Sequence, residues 1–475
     1  MKRNLNVSSA RSRGLSLIEL MIAIAIGMAI VAALLALYLN VTRTNNEMAK
    51  MNRQIENGRF AIQLLQDDVE HAGFWGSYVP QFDDLTLSGP SGPLDAPTAL
   101  PDPCKTQANW TGNDLSNLIG IPVQGDAGSC TAAGVVANQQ PNTDVLVVRR
   151  AMNCVAGSGG NCEGDIANKL YFQSSQCEAE WSGLAQNGGS NSSIVLNASA
   201  SSTDHYYEGA QIRIIYGKGA GQSGQITTYT AANQVATVNN GTGWTPSVPG
   251  NTIQPPDNTS VYAFGLGYVL GVSDGNPGDP PFIFHKRDCV TPANKRKFVS
   301  DIYYVRNYST PGDGIPTLVQ STFDLSSGTL QQQSAQALIE GIEGFRVMYG
   351  IDSVAKGGNP ENYTKPVAWV DPYNKVTPTN RGDGVPEGAY VTAAGVTCNG
   401  ATSGTPDTCP ASNVVAVRIY VLARSLEKTP GYTDTKTYQL GDPSYTMGPF
   451  NDNYKRHLYS TTIRLMNPAG RRDTP

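Results

Sequence analysis

The sequence has little charge and few of the residues on which most enzymes depend. Only 15% of its 475 residues are charged, four are histidines, and Walker A, HExxH and GxSxG motifs are all missing. No CxxC pair occurs, which argues against zinc ribbons and redox motifs. The net charge of −5 gives no sign of nucleic-acid binding. We therefore expect neither an enzyme nor direct contact with nucleic acid.

Turn-forming residues are plentiful instead. The chain contains 50 glycines and 30 prolines, together with many Ser, Thr and Asn residues. This composition is typical of an extracellular, loop-rich β protein rather than of a helical cytosolic enzyme. The length allows two to four domains, or one domain with insertions.

The N-terminus combines a basic leader with a long apolar run. Residues 1–14 contain four basic residues and no acid, and the run that follows extends from Leu15 to Val41. It is too long for a signal-peptide core and no A-x-A site follows it. With about 20 apolar residues needed to span a bilayer, the run predicts a transmembrane helix. Because the basic residues precede it, its N-terminus should face the cytoplasm.

One acid, Glu19, lies inside this run. A carboxylate in hydrocarbon costs about 3 kcal/mol and normally marks a functional partner, although at headgroup depth it would simply be tolerated. The basic leader, Gly14, the apolar Leu15 and the acid at position 19 resemble the class III signal of type IV pilins and pseudopilins. The resemblance implies that prepilin peptidase cleaves after Gly14 and that Leu15 becomes the N-methylated first residue. Glu19 would then face the α-amino group of Leu15, its own or a neighbour's. The family usually has Phe where Leu15 stands.

An apolar stripe continues the helix beyond the membrane. It consists of Met48, Met51, Ile55, Ile62, Leu65 and Val69, and the spacing places these residues on one helical face. We interpret the stripe as core packing under a β domain and Gly73 as the helix stop. The sequence ENGRFAIQLLQDDVEHAGFWG, from Glu56 to Gly76, closely resembles the helix end of PilW-type minor pilins.

Later segments resemble the same family in order. Predicted strands are Asp144–Arg150, Asp301–Asn307, Ile315–Ser321, Ser412–Ser425 and Arg456–Pro468, while Ala335–Asp352 is predicted to begin as a helix and continue as a strand. The motifs VLVVRR, YYVRN, EGIEGFRVMYGID, VVAVRI and STTIRL carry the resemblance. In the family a GDG turn soon follows YG.D, but here about thirty residues separate Asp352 from Asp383. These two acids are the calcium candidates, and we expect a distorted site or none, because calcium needs six or more oxygens from a compact loop.

The eight cysteines suit an oxidising compartment and structural disulfides. They allow 105 pairings, among which the short loops Cys154–Cys162 and Cys398–Cys409 are favoured, followed by Cys104–Cys130 and Cys177–Cys289. Each disulfide would contribute roughly 2–4 kcal/mol by constraining the unfolded chain.

Residues 191–265 have the character of an insertion. Alternating strands are interrupted by GAGQSG and then by TAANQ, a predicted hairpin connection. The segment resembles a small β module of phage tail and other surface-exposed proteins. It is either a rigid decoration or an adhesive, partner-docking face. Its match to GxGxxG lies between two strands with no helix after it, which argues against a dinucleotide site.

Three other features carry less functional weight. The four histidines are scattered, so each is better explained as a surface or core residue than as a metal ligand. The RGD sequence at residues 381–383 is short enough to occur by chance. The basic run His285–Lys297 is either a solvated face or a contact for an acidic neighbour.

The sequence therefore predicts an α+β, type IV pilin-like fold, in which a long N-terminal helix packs on an antiparallel β-sheet domain with large β-rich insertions. The expected divisions are a cleaved leader (1–14), a transmembrane half-helix (15–40), an amphipathic half-helix (41–73), a first globular part (74–190), the insert (191–265) and a C-terminal β-rich part (266–475). No cofactor is expected apart from the calcium candidates.

The resemblance implies a minor pilin that helps to prime type IV pilus assembly at or near the tip, supporting adhesion and twitching motility. Its implied partners are other minor pilins, the major pilin, prepilin peptidase, the inner-membrane assembly platform and, as a candidate, a large tip adhesin. It would reside in the bacterial inner membrane with a periplasmic domain, and on the extracellular pilus after assembly. The alternatives are a minor pseudopilin of a type II secretion system, a component of a DNA-uptake pilus, and a membrane-anchored surface enzyme.

Overall fold

A long N-terminal helix organises the fold. The structure is a computed structural model that describes residues 16–473 except 86–92, 94, 127, 161, 178–179, 246–251, 266, 276–281, 364, 366, 399–408 and 443–444. Helix α1 spans Leu17–Glu70, a length of about 80 Å at 1.5 Å per residue. Gly73 follows with a φ of 71°, a left-handed conformation that glycine adopts without strain. The predicted stop at Gly73 thus lies just beyond the last helical residue.

The remaining elements are mostly strands. The other α-helices are α2 Gly112–Gly120, α3 Ser129–Ala132 and α4 Met466–Arg472, and 3-10 turns lie at Gln81–Asp83, Gln107–Asn109, Asn239–Gly241, Ala393–Gly395 and Pro410–Asn413. The strands in the described residues are β1 Val123–Gln124, β2 Val145–Ala151, β3 Leu170–Ser174, β4 Ser182–Leu184, β5 Gln186–Ser190, β6 Ser193–Val195, β7 Gln211–Tyr216, β8 Ser223–Thr230, β9 Val235–Val238, β10 Val261–Gly265, β11 Tyr268–Val272, β12 Arg296–Arg306, β13 Thr317–Ser326, β14 Thr329–Gln332, β15 Gln336–Glu340, β16 Ile342–Ile351, β17 Trp369–Asp371, β18 Val376–Pro378, β19 Val414–Arg424, β20 Tyr438–Gln439, β21 Thr446–Met447 and β22 Arg456–Arg464.

These strands form antiparallel sheets. The central sheet has the order β1-β2-β12-β13-β14, with β3 and β15 paired to β12 and β13, and β11 paired to β3. The insert sheet has the order β4-β10-β7-β8-β9-β6-β5, and the helix-facing sheet has the order β16-β19-β22. Strands β17–β18 and β20–β21 form separate hairpins. One long helix on antiparallel sheets confirms the predicted α+β class.

The second half of α1 packs on the helix-facing sheet. Ala61, Leu65 and Val69 are fully buried and share a core with residues of all three strands of that sheet: Phe345, Val347, Val417, Ile419 and Ile463. Burying side chains of this size contributes about 2 kcal/mol each. Packing against the sheet therefore fixes the direction of the helix relative to the β domain.

Disulfides join distant parts of the β domain. All eight cysteines lie in the described residues, and they form the pairs Cys104–Cys130, Cys154–Cys162, Cys177–Cys289 and Cys398–Cys409. This is the pairing that the sequence analysis favours. The Cys177–Cys289 bond encloses the whole insert sheet, since that sheet runs from Ser182 to Gly265. The sheet thus begins before the predicted boundary at residue 191.

Two predictions about local structure are wrong. Residues 335–352 contain no helix: β15 and β16 run through them and are separated by Gly341, whose φ is 78° and whose added Cβ would lie 2.7 Å from the Arg424 carbonyl oxygen. The helix-like spacing of Ala335–Ile339 was overridden by pairing with β13. The segment after Arg464 does not end as a strand but forms α4, which the sequence analysis missed.

The predicted apolar stripe is also partly wrong. Met48 and Met51 are 58% and 44% exposed, because the β domain begins to cover the helix only near Gln54. From there the buried positions are Gln54, Gly58, Ala61, Leu65, Asp68 and Val69. Gln54, Gly58 and Asp68 thus make up half of the buried positions. None of the three is a hydrophobic residue, so a search for apolar periodicity could not detect them.

Candidate assembly site on the N-terminal helix

The N-terminal turn of α1 places Glu19 in a capping box. The Ser16 N–H donates to the Glu19 carboxylate at 2.9 Å, and the Glu19 N–H donates to Ser16 Oγ at 3.2 Å. The positive end of the helix dipole favours a carboxylate there. The predicted processing residues Gly14 and Leu15 lie outside the described residues, so the pairing of Glu19 with the Leu15 amine stays a prediction.

The first half of α1 is apolar on every side. Its large side chains from Leu17 to Val41, which include Ile18, Met21 and Leu34, are about half or more exposed to the surroundings. Among the described residues, α1 is the helix that is long and apolar enough to cross a membrane. A helix that is apolar all round requires lipid or other helices around it. This half therefore confirms the predicted membrane-spanning segment.

Ion pairs fix the middle of α1 to the loop that precedes β22. Lys455 Nζ lies 3.0 Å from the Glu47 carboxylate, which also accepts a 2.9 Å hydrogen bond from the Thr429 hydroxyl. Burial opposes ionisation of Glu47, but the hydrogen bonds from Lys455 and Thr429 outweigh it and lower its pKa. Lys50 in turn contacts Glu427 at 3.3 Å. These ion pairs thus attach α1 to the β domain at residues 47 and 50, N-terminal to its first buried position, Gln54.

The ENGRFA motif forms the closest contact between helix and sheet. Asn57 Nδ2 donates to the Glu340 carbonyl at 3.0 Å, and Gln54 Nε2 donates to the Ala423 carbonyl at 2.8 Å. Next to Asn57, Gly58 faces the ring of Tyr459, and a Cβ added at Gly58 would lie 2.2 Å from Tyr459 Cε2. The glycine is required because the Tyr459 ring occupies the space of a side chain.

Replacing Gly58 with alanine is expected to destabilise the domain by about 1–3 kcal/mol, because overpacking outweighs the better helix propensity of alanine. The matched control is Gly470→Ala in α4, where an added Cβ meets nothing within 4 Å. Denaturant titrations of both variants in detergent check the prediction. Equal stabilities for the two variants would contradict the role given to Gly58.

A buried polar cluster lies under the end of α1. Asp68 accepts a 2.7 Å hydrogen bond from Arg150 Nε and a 3.1 Å hydrogen bond from the Tyr303 hydroxyl. Asp301 lies on the same strand as Tyr303, is 4% exposed, and its Oδ1 has no hydrogen-bond partner among the described residues. Burial, followed by the charge of Asp68, raises the pKa of Asp301 to about 7. Sequence reasoning missed this cluster, because its members come from three distant segments.

A second buried cluster connects α4 to the region that follows α1. Arg472 lies 2.8 Å from Asp83 and 3.4 Å from Asp352, and Arg471 lies 3.0 Å from Asp83. Arg472 also donates to the Ser412 carbonyl at 2.9 Å. These bonds hold the C-terminal helix against the end of the domain where α1 stops. The long segment between Asp352 and Asp383 does not separate them in space.

The predicted calcium residues do come together. Carboxylate oxygens of Asp352, Asp383 and Glu387 lie within 4.8 Å of one another. However, Asp352 Oδ1 accepts the Asp383 N–H at 3.2 Å, and Oδ2 accepts the Gly384 N–H at 2.8 Å and faces Arg472. Burial raises the pKa of Asp352 to about 6 although Arg472 opposes the shift. N–H donors and a guanidinium thus occupy both oxygens of Asp352, which calcium would need as ligands.

The basic run near Cys289 is partly neutralised. Lys295 lies 2.5 Å from Asp165, and Lys297 lies 2.7 Å from Asp324. Three histidines have separate neighbours: His205 contacts Glu208, His285 contacts Glu180 and His457 lies edge-to-face with Tyr459. These three histidines thus lie beside different residues, and two lysines of the basic run are paired with acids.

Two parts of the chain match known families. Residues 302–467 match the family described as Type IV Pilus-assembly protein W, and residues 9–35 match the Prokaryotic N-terminal methylation motif. The first match contains strands β13 to β22, and the second contains Glu19 and the apolar start of α1. No curated protein matches the chain, and no solved structure does.

Proposed function

We propose that the chain is a PilW-type minor pilin, a non-enzymatic subunit that helps to prime type IV pilus assembly and lies at or near the pilus tip. The matches of residues 302–467 and 9–35 to the two families support this proposal. The observation that carries the proposal is the division of α1. Its first half is apolar and exposed on all sides, whereas its second half is fixed in the β domain. One helix thus provides both an inner-membrane anchor and a rigid connection to the globular part.

Assembly exchanges lipid for the helices of other pilins around the first half of α1. The apolar side chains stay away from water throughout, so the transfer avoids the large free-energy cost of exposing them. The Glu19 carboxylate is the exception, since an isolated charge is costly in an apolar surrounding unless it is paired. The amine created at Leu15 by cleavage after Gly14 is its partner, and this requirement sets register between neighbouring subunits.

The size of the β domain supports a terminal position. The insert sheet adds a separate core to the domain, and so large a head hinders repeated stacking along a filament. Disulfides suit the proposed periplasmic location before assembly and the extracellular location afterwards. There the subunit contacts other pilins and a tip adhesin, and supports adhesion and twitching motility. The family match favours this assignment over a secretion-system pseudopilin.

Replacing Glu19 with alanine is expected to leave the protein in the membrane but to reduce its amount in sheared pili at least ten-fold, because the amine at Leu15 loses its partner. Quantitative mass spectrometry of pili measures the incorporation and also shows whether the mature chain begins at Leu15.

The matched control is Glu56→Ala, an exposed acid on the same helix outside the apolar half. It should be incorporated like the wild type. Normal incorporation of the Glu19 variant into pili would contradict the proposed role of this carboxylate in assembly. Retention of Gly14 in assembled protein would contradict the processing step.

A further inference from the structure

Strand β22 forms a long, regular edge of the helix-facing sheet. It pairs with β19 over residues 416–424 and 456–464 without any register shift. Among the described residues, no strand pairs with its other side. An edge of this kind presents a row of N–H and C=O groups that can pair with another chain.

The opposite edge of the same sheet is closed. On β16, alternate residues point their backbone groups away from β19, and these groups are hydrogen-bonded at 2.7 to 2.9 Å. The Phe345 carbonyl accepts from the Asp144 N–H, and the Val347 N–H donates to the Asp144 carboxylate. Tyr349 exchanges two backbone bonds with Val391, and the Ile351 carbonyl accepts from the Glu387 N–H. The molecule thus satisfies one edge of the sheet with its own loops. The other edge has no such cover.

The alternation identifies the open groups on β22. The backbone N–H and C=O groups of the odd-numbered residues of β16 point away from the sheet. Those of its even-numbered residues therefore bond to Ala416, Arg418 and Tyr420 of β19. The intervening residues of β19 therefore bond to Tyr459, Thr461 and Ile463. The outward residues of β22 are Leu458, Ser460, Thr462 and Arg464, and no described residue hydrogen-bonds to their backbone groups.

Other sheet edges are protected by their shortness. Apart from β16, the edge strands in the described part of the chain have five residues or fewer, and β5 also contains two glycines and a register shift. Short, irregular edges resist pairing with other chains. Strand β22 has nine residues and contains no Pro, Gly or Lys. Among the described residues, this edge therefore has no proline, bulge or cover that would block strand addition, and its one exposed charge, Arg464, lies at the last residue of the strand.

The surroundings of the edge are cationic. The strand contains no acid but has the exposed Arg464. Arg418 donates to the Thr462 hydroxyl at 3.0 Å, and Arg59 of α1 lies near Tyr459. Asp473, paired with Arg464 at 3.3 Å, is the acid in contact with these groups. Such a surface favours an extended segment with acidic side chains.

We propose that the outer edge of β22 is a strand-addition site that accepts an extended, acidic segment of another pilus subunit. The proposal rests on the proposed function, since it requires neighbouring subunits. Antiparallel pairing of two β22 strands would reverse the in-plane direction of the α1 helix that packs on the sheet, which is incompatible with anchorage of both helices in one membrane. Parallel pairing of two copies would bring the same cationic groups face to face, which is unfavourable. We therefore take the occupant to be a subunit of different sequence, bound by main-chain hydrogen bonds as in other strand-addition complexes.

Proline at position 460 tests the main-chain bonds. Ser460 is exposed and faces outward, so Ser460→Pro removes an outward N–H and leaves the ladder to β19 intact. We expect at least five-fold less Ser460→Pro than Ser460→Ala protein in sheared pili. Protease resistance of the full chain in detergent verifies folding. If the proline variant does not fold, two variants of opposite charge test the inference instead. Ser460→Glu should lower incorporation into pili, and Ser460→Lys should not.

A photo-crosslinking residue at position 460 identifies the occupant in assembled pili. We expect an adduct with an extended acidic segment of another pilus subunit. An adduct with a second copy of this chain, an adduct with a helix, or no adduct would overturn the inference, as would equal incorporation of the folded variants. If the wild-type chain itself is missing from pili, the proposed function fails instead.

Discussion

Replacing Arg456 with methionine is expected to lower the free energy of unfolding by about 3–5 kcal/mol, because carboxylates are then left buried without their cation. The Arg456 guanidinium is fully buried and lies 2.5 Å from Glu343, 3.0 Å from Asp434 and 2.7 Å from Asp452. Burial alone lowers the pKa of a guanidinium, but these carboxylates raise it above its usual value. Methionine keeps the unbranched stem of the side chain, so the loss reflects mainly the missing guanidinium.

In the Arg456 variant, we expect the segment between β19 and β22 to lose the most stability. Leu440 and Tyr438 of this segment pack on Leu422, and Asp434 and Asp452 are fixed by Arg456. Denaturant titration in detergent measures the total loss, and limited proteolysis shows whether residues 425–455 are released first. The control is Arg464→Met, since the exposed pair of Arg464 with Asp473 is worth less than about 1 kcal/mol. Similar losses for both arginines would contradict the argument.

Replacing Asp301 with asparagine is expected to stabilise the protein, and more so as the pH rises. The folded protein holds the pKa of Asp301 at about 7, against 3.8 for the ordinary carboxyl. Between these values the folded state binds a proton that the unfolded state has lost, so wild-type stability falls as the pH rises. Asparagine mimics the protonated carboxyl. Its benefit should therefore grow by on the order of 2 kcal/mol from pH 5 to pH 7.

Unfolding curves at several pH values between 5 and 8 measure this difference. Some pH dependence should remain in the variant, because burial also raises the pKa values of Asp95 to about 6 and of Glu361 to about 8. The control is Asp313→Asn. Backbone N–H donors, that of Ile315 first, lower the pKa of Asp313, so it is ionised in both states and its loss should be the same at every pH in this range. A pH-independent benefit at Asp301 would contradict the assignment.

The sequence was informative where the chemistry is local. The Gly14, Leu15 and Glu19 pattern and the long apolar run lie within one continuous segment. The length of the run is therefore enough to predict a membrane helix. The strands at residues 145, 296 and 414 were found because β-branched runs are bounded by turn residues. Their observed bounds differ from the predicted ones by a few residues at the ends, where pairing partners decide the length.

Sequence reasoning failed where a residue acts through distant neighbours. Gly58 belongs to a recognised motif, but its need for a missing Cβ depends on Tyr459 in the last strand. Asp68, Asp301 and Arg456 look like surface charges in a sequence, and only the fold shows that each is buried. Asp352 and Asp383 were named from the motif as calcium candidates with a distorted site or none expected, but the cation that faces Asp352, Arg472, lies near the C-terminus and gives no signal in the motif.

The Cys177–Cys289 bond has a mechanical consequence. A pilus under tension transmits force along the backbone of each loaded subunit, and a disulfide carries load as a covalent bond does. Since the bond joins the two ends of the segment that contains the insert sheet, tension that entered an assembled subunit at α1 would pass from residue 177 to residue 289 directly. The insert sheet would then lie outside the load path. We expect it to keep its fold under pulling forces that stretch the chain on either side of it.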